Sequence, residues 1–566
     1  MKKIYLTLTM MSLLFCVYSQ NPLIIPDTLS GNTINLNLQQ GTMNFYPGQA
    51  TNTFGVNGNI LGPTLILHKG SNVSINIHND LPDTSTVHWH GMHVSAVNDG
   101  GPWSPIAPAT TCSINLNVMD WAGTYWYHPH MCMHTNEQVQ KGIAGFVIVK
   151  DSVEEAITLP RTYGVDDFPI VIQTKTFDTA NQVIIHSNLD TSLLVNATLH
   201  PYLNIPAQVV RLRLLNGSSE RVYNLGFTGN KTFYQIGSDG GLLTCPVSLT
   251  RLRLAPGERA EILIDLSSYM GQSFDLISFA SELPNGIYGA TRPGMMMMET
   301  LPDYSSNPLN GADFTVLHLN VVAATANAVT TIPTTLTSHN PWLESSANTT
   351  RQLVITPVNM GPSSIEGPFV INGMTFDMMM INYYIPLNNI EIWEVVNHSH
   401  IAHPFHIHDE QFYILDDNGN PPPLNEQGRK DVVLVRPMHT VRFITRFEDF
   451  SNDTIPYMYH CHMLTHEDDG MMGQFIVNSV TTGITDLSAK NNLEMYPDPC
   501  SKEQTLKINS EIPIREISVT NIIGEEIYNQ TVNGKSVDIN PSLGKGIYLV
   551  TIKTEKETTT RKLVID

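Results

Sequence analysis

Glu391-Ile-Trp-Glu-Val-Val-Asn397 reads as an alternating strand that stops on an asparagine, and nine and eleven residues beyond that asparagine stand His406 and His408. The same figure occurs twice more. Val73-Ser-Ile-Asn-Ile-His-Asn79 leads at the same steps to His88 and His90, and Val210-Arg-Leu-Arg-Leu-Leu-Asn216 leads to Leu225 and Phe227. Strand periodicity at three places with matching offsets marks an internal repeat, so one β-domain is used three times. The middle copy has apolar residues where its neighbours have histidine, and reads as a ligand-free spacer. A second correspondence ties the outer copies together. Tyr127-His-Pro-His130 aligns with Tyr459-His-Cys-His462, with Pro129 in place of the cysteine.

The composition agrees with this architecture. Of 566 residues, 42% are hydrophobic, and 38 Gly and 35 Pro punctuate short alternating runs, the pattern of several β-sandwiches rather than of helices. A formal net charge of −21, with no basic stretch for phosphates, argues against nucleic acid as a partner. Residues 1–19 join Lys2 and Lys3 to an apolar run from Ile4 to Val17 and a small Ser19, which is a secretory signal peptide. Phe15 is too bulky to precede a lipidated Cys16, and no later apolar run reaches the roughly 20 residues of a membrane span. The expected division is a leader at 1–19, β-sandwiches at 20–155, 156–325 and 345–480, a polar linker at 481–493, and a small β-sandwich at 494–566. Without the leader, five cysteines remain: Cys112, Cys132, Cys245, Cys461 and Cys500. An odd number outside the cytoplasm leaves a free or metal-bound thiol, for which Cys461 is the candidate. Cys112 can pair with Cys245 or with Cys132; both remain open.

Tyr459-His-Cys-His-Met-Leu-Thr-His-Glu-Asp-Asp-Gly-Met471 carries two metal sites on one strand. Alternation sends His460 and His462 to one face and Cys461 to the other, so one metal cannot take all three. On the Cys461 side, His466 and Met471 follow, and His403 in His403-Pro-Phe-His-Ile-His408 supplies a second imidazole. Thiolate, two imidazoles and a thioether are the donors of a blue-copper electron-transfer site. Pro404 is expected to break the strand between His403 and His406. Four His-x-His pairs, two from each outer domain, give eight imidazoles, a number that suits three copper ions. A zinc hydrolase has no use for this combination of donors.

These motifs, His88-Trp-His-Gly91, His128-Pro-His130, His403 to His408 and His460 to Met471, together with Gly237-Ser-Asp-Gly-Gly241, resemble the multicopper oxidases over about residues 40 to 478. The resemblance implies an all-β chain of three cupredoxin-like Greek-key sandwiches and four copper ions. It implies a type 1 copper on His403, Cys461, His466 and Met471, and a type 2 copper on His88 and His406. One type 3 copper would fall on His90, His128 and His462, and the other on His130, His408 and His460. The implied reaction passes electrons from a donor through Cys461 to the cluster, where O2 is reduced to water. That reaction consumes protons, and Glu467, directly after a ligand, and Asp99, nine residues after His90, are the candidate acids.

Methionine is the clue to the donor. Among 24 Met, runs at Met295–Met298 and Met378–Met380 offer soft thioethers to Cu(I), although thioethers also fill cores. Phe369 to Met380 and Tyr459 to Met472 resemble the copper-efflux oxidases, but Ser399 and Ile401 stand where those enzymes place an acid and a methionine. Phenols, aromatic amines and Cu(I) are therefore all expected donors, with a copper-storage role as the alternative. Met131, Cys132, Met133 and His134 offer either another copper contact or packing beside the cluster. Beyond Val480, Tyr496-Pro-Asp-Pro499, Ile517 to Gly524, Gly546 to Val550 and Lys562 to Ile565 resemble the C-terminal sorting domain of the type IX secretion machinery. That implies export through the periplasm of a Gram-negative bacterium to the medium or the cell surface.

Overall fold

The computed structural model describes residues 20–294, 303–359, 365, 367–479 and, with short gaps, 493–565. The leader, the Met295–Met298 run and all but the last residue of the linker lie outside the described residues. The chain forms two compact units, residues 1–479 and 480–566.

The first unit holds three sandwiches. In the first, the sheet Thr51–Val56, Thr33–Met43, Asn72–Asn79, Thr110–Asn117 faces the sheet Thr28–Ser30, Thr64–His68, Gly145–Lys150, Gly123–His128, His88–His90. Alternate residues of both, among them Leu36, Ile75, Leu65 and Val147, bury into one core. The third sandwich repeats the plan. Its outer sheet contains Ile390–Asn397, and its inner sheet runs Tyr383–Pro386, Met472–Asn478, Tyr457–Cys461, His403–Ile407, Val432–Val435 around Trp393, Phe405 and Phe475. The middle sandwich packs a six-stranded on an eight-stranded sheet, with Leu225 and Phe227 inside its core. The chain start departs from the expected division. Asn21–Pro22 pairs in parallel with Pro201 and Tyr202, and Leu23 enters the middle core, because the edge of that sheet offers free backbone partners.

The repeat asparagines explain the repeat. Asn79, Asn216 and Asn397 are fully buried, and each side chain closes the turn after its strand in the same way. The oxygen of Asn216 accepts from Ser218 N at 3.0 Å while its amide donates to Arg221 O at 2.7 Å and Leu254 O at 2.9 Å. Asn397 does the same with Ser399 N, Ile401 O and Val435 O, and Asn79 with Leu81 N, Asp83 O and Ile106 O. One acceptor and two donors on a short side chain are what asparagine offers, and the closed turn sets the chain off towards the His-x-His strand.

Pro404 does not break the strand. His403–Ile407 is continuous and pairs with Val432–Val435. The neighbouring strand ends at Cys461 opposite Phe405, so no ladder bond is asked of Pro404 on that side. Its carbonyl accepts from His462 N at 2.6 Å instead.

The second unit is a sandwich-like five-stranded sheet in which the long strand Leu506–Asn521 pairs with Glu494–Tyr496, Glu526–Ile539 and Gly546–Thr554, and the last of these with Thr558–Ile565. Ile508, Ile517, Val550 and Leu563 form its core.

Asn216→Ala takes the side-chain partner from two buried carbonyls and one buried amide, and unsatisfied buried groups cost about 1–3 kcal/mol each. Thermal unfolding of the variant is expected at a clearly lower temperature with metal content unchanged in the folded protein. An unchanged midpoint would remove the asparagine from the account of the repeat.

Candidate metal centre

The pairing of His-x-His strands places eight imidazoles in one buried space. His88 is opposite His128 in the first sandwich, and His406 is opposite His460 in the third. All eight residues are at most 1% exposed. Their nitrogens fall into two triads and a pair. His90 Nδ1 lies 3.3 Å from His128 Nε2 and 3.2 Å from His462 Nε2. His460 Nε2 lies 3.1 Å from His130 Nε2 and 3.4 Å from His408 Nε2. In the remaining pair, His88 donates from Nδ1 to Asp99 O at 2.9 Å and His406 from Nδ1 to Asp431 O at 2.8 Å, and neither Nε2 has a hydrogen-bond partner among the described residues.

This arrangement fits metal ions. Nitrogens bound at about 2.0 Å to one small cation in tetrahedral directions stand roughly 3.3 Å apart, which is the spacing of both triads. Burial first, and then the neighbouring imidazoles, hold His90, His128, His406 and His408 well below the usual histidine range. Burial likewise lowers His462 to about 3, and His130, partly offset by Glu467, to about 4. Neutral imidazoles with lone pairs turned inward are metal ligands.

On the opposite face of the same strand, Cys461 Sγ lies 3.5 Å from His403 Nδ1 and 3.5 Å from His466 Nδ1. The other nitrogens are fixed, His403 Nε2 by Ser399 Oγ at 2.9 Å and His466 Nε2 by Ile365 O at 2.8 Å. Met471 is fully buried in the same core, and Phe369 packs on both rings at 4.7 and 4.8 Å. Burial pushes the Cys461 thiol far above its ordinary range, so a cation must replace its proton before it becomes a thiolate.

Both candidate acids are in place. Asp99 Oδ2 accepts from His408 Nδ1 at 2.9 Å. Glu467 reaches both domains, with Oε2 at 3.1 Å from His460 Nδ1 and Oε1 at 3.4 Å from His130 Nδ1. Burial raises its carboxyl, but the imidazoles of His130 and His460 more than offset that and hold it well below the carboxylate range. Other expectations are not met. Cys112, Cys132 and Cys245 are free thiols, so neither disulfide forms. In the Met131–His134 turn, Met133 is 74% exposed and His134 faces Glu137 at 3.6 Å, and no further donor set gathers there among the described residues.

The sequence reading missed Asp431 and Arg259. Asp431 Oδ1 accepts from His90 Nε2 at 3.0 Å, which turns His90 so that Nδ1 faces its triad. The middle domain is therefore more than a spacer: Arg259 grips both oxygens of Asp431 at 2.6 Å and also donates from Nε to Thr124 O at 3.1 Å in the first sandwich. Gly91, with φ at +81°, is required beneath them, because a Cβ there would collide with the Asp431 carboxylate and the Arg259 guanidinium. The signal within reach was Gly237 to Gly241, since Asp239 in that stretch accepts from Arg259 N at 2.8 Å.

Comparison with known proteins agrees with this geometry. The multicopper oxidase family matches residues 37–154 and 344–480, and the secretion system C-terminal sorting domain matches 494–566. Multicopper oxidase mco of Staphylococcus haemolyticus (strain JCSC1435) is 33% identical over 480 residues, covering 81% of this chain and 93% of its own. Cell division protein FtsP of Escherichia coli (strain K12) is 30% identical over 470 residues, covering 81% and 93%. The bacterial laccase-like multi-copper oxidase CueO from Ochrobactrum sp. superposes with a TM-score of 0.70 at 29% identity, covering 81% of this chain and all of that one. The chain belongs to the multicopper oxidases, a family of copper oxidoreductases, and combines three cupredoxin-like domains with a C-terminal secretion sorting domain.

Asp431→Asn keeps an acceptor for His90 but removes the carboxylate that Arg259 grips at 2.6 Å, leaving it only Asp239 at 3.7 Å. Loss of such a ligand-orienting contact typically lowers metal affinity about 10–100-fold. Copper retention against a graded chelator should fall by that factor, and retention equal to the parent protein would show that His90 holds its orientation unaided.

Proposed function

We propose that this chain is an exported oxidase that holds four copper ions and couples four one-electron oxidations of a donor to reduction of O2 to two waters. One observation carries the reading: Cys461, with His403 and His466 at 3.5 Å, sits between His460 and His462, whose nitrogens belong to different triads. In this reading His403, Cys461, His466 and Met471 hold the type 1 ion and His88 and His406 the type 2 ion. His90, His128 and His462 hold one type 3 ion, and His130, His408 and His460 the other. Copper supplies one-electron chemistry at the first site and multi-electron reduction of O2 at the second. The protein supplies the rest. The peptide units on either side of Cys461 form a covalent path to each triad, burial excludes bulk water, and Asp99 and Glu467 hold protons at the Nδ1 atoms of His408, His460 and His130. Storage or a purely structural role needs none of this, and would leave ten buried histidines facing one another without purpose.

A neutral phenol or aromatic amine is the leading donor. Ser399, which bonds His403 Nε2 at 2.9 Å, and buried Ile401 stand where the copper-efflux oxidases place an acid and a methionine. The relative from Ochrobactrum sp., described with oxidase activity towards lignin model compounds, supports the same class. Cu(I) is the second reading, because Gly286, nine residues before the Met295–Met298 run, accepts from Ala402 N at 2.7 Å beside His403. The type IX sorting match supports export or surface display. We extend it to a Gram-negative bacterium, with residues 1–19 removed in the periplasm and the tail removed after about residue 490.

Cys461→Ser should lose the blue band and all donor oxidation while keeping its fold, whereas Glu467→Gln and Asp99→Asn should stay blue, be reduced normally and reoxidise about 10²–10⁴-fold more slowly in O2. A blue Cys461→Ser protein, or acid variants that reoxidise at the parental rate, would refute these assignments. Turnover of phenols and of Cu(I) by the parent decides the donor. Intact-mass measurement of protein from culture supernatant should find neither the leader nor the tail; a full-length C-terminus would refute the processing scheme.

A further inference from the structure

The loop that carries Asp99 passes from the first sandwich over the third, and it does so in register. In the inner sheet of the third domain Gln474 stands opposite Met458, and the carbonyl of Met458 accepts from His408 N at 3.0 Å, so these three residues form one row across the sheet. Every second residue of the loop meets one member of that row. Asp99 Oδ2 accepts from His408 Nδ1 at 2.9 Å, Gly101 lies against Met458, and Trp103 donates from Nε1 to Gln474 Oε1 at 2.8 Å.

The loop is fitted to this path at each step. Gly100, with φ at +78°, is pressed on the backbone of Val87, where a Cβ would fall on the carbonyl. A Cβ at Gly101 would stand 3.2 Å from Asp99 Oδ2 and 3.6 Å from Met458 Cγ, so the missing side chain leaves the carboxylate its room. Ser104 N donates to Gly101 O at 2.9 Å and closes the turn that holds Trp103. The anchor at the far end is rigid. Gln474 is fully buried, its Nε2 donates to Met378 O at 2.8 Å and Met380 O at 3.0 Å, and its backbone is tied to Asn382 through both N and O. An amide with both donors and its oxygen in use cannot turn away from Trp103. The indole itself is 36% exposed. A phenyl ring would cover the same surface, and only the indole brings a donor.

We propose that Trp103 is a positioning residue for O2 reduction: its hydrogen bond to Gln474 stretches the loop along the Gln474, Met458 and His408 row and so holds Asp99 at the imidazoles of two domains. Asp99 serves both at once, with Oδ2 at His408 Nδ1 and its carbonyl accepting from His88 Nδ1 at 2.9 Å. The first sandwich supplies the acid, the third supplies one of the rings it faces, and the Trp103 bond is a second tie between the same loop and the same sheet. The inference rests on Asp99 as a proton-holding group under the proposed function, and adds what fixes it in place.

Trp103→Phe keeps a ring and removes the donor. The copper-loaded variant should keep its blue colour, copper content and anaerobic reduction by donor, yet reoxidise at least about tenfold more slowly in O2. Its type 2 electron paramagnetic resonance should show an altered hyperfine splitting, because His88 is bonded to the Asp99 carbonyl and moves with the loop. Gly101→Ala leaves the Trp103 bond in place and crowds the carboxylate directly, so it should give the same two changes, and it decides by the same readings if Trp103→Phe fails to load copper. Adding Trp103→Phe to Asp99→Asn should slow reoxidation no further, since the effect passes through that carboxylate. If Asp99→Asn itself reoxidises at the parental rate, the acid reading of Asp99 fails, and the type 2 resonance alone judges the positioning. A parental type 2 resonance in copper-replete Trp103→Phe, parental reoxidation of that variant beside a slow Asp99→Asn, or further slowing in the double variant would each overturn the proposal.

Discussion

The guanidinium of Arg259 is the contact on which the metal centre depends. It is fully buried, and it touches all three sandwiches: Thr124 O at 3.1 Å in the first, Asp239 O at 2.9 Å in its own, and both oxygens of Asp431 in the third. Burial opposes its charge, and Asp431 and Asp239 more than offset that cost. Because Asp431 also orients His90 through its carboxylate and His406 through its carbonyl, one arginine from the middle domain sets the registry of imidazoles from the other two. A lysine could not span these partners, since only the planar fork offers five donors.

Around that contact the metal sites follow from strand geometry. Alternation separates Cys461 from His460 and His462 by one residue and by a sheet face, so two chemically different sites share a backbone without sharing donors. Antiparallel pairing then sets His406 opposite His460 and His88 opposite His128, and the two-domain interface brings the four strands together. The asparagines at the strand ends keep this register, each satisfying three backbone groups that water cannot reach. Carboxylates stand at the other ring nitrogens: Asp99 accepts from His408 Nδ1, which fixes that ring's tautomer, and Glu467 lies 3.1 Å from His460 Nδ1 and 3.4 Å from His130 Nδ1.

By itself the sequence determined the three β-domains, the two outer sets of paired histidines and the change of character near Val480, because these depend on period-two alternation and fixed offsets along one chain. His88 to His130 and His403 to Met471 are local motifs, and locality is what a single sequence displays. Tertiary structure alone decided the rest. Arg259 and Asp431 lie 172 residues apart, and their pairing needs the middle domain docked between its neighbours. Asn21–Pro22 joins a distant sheet because that edge is available, and Pro404 stays in its strand because the neighbouring strand ends in time. Cys112, Cys132 and Cys245 are free thiols, although the sequence had left their pairings open. Offsets along a chain fix which side chains share a face; which faces meet is settled by packing between domains, where the buried charges find their partners.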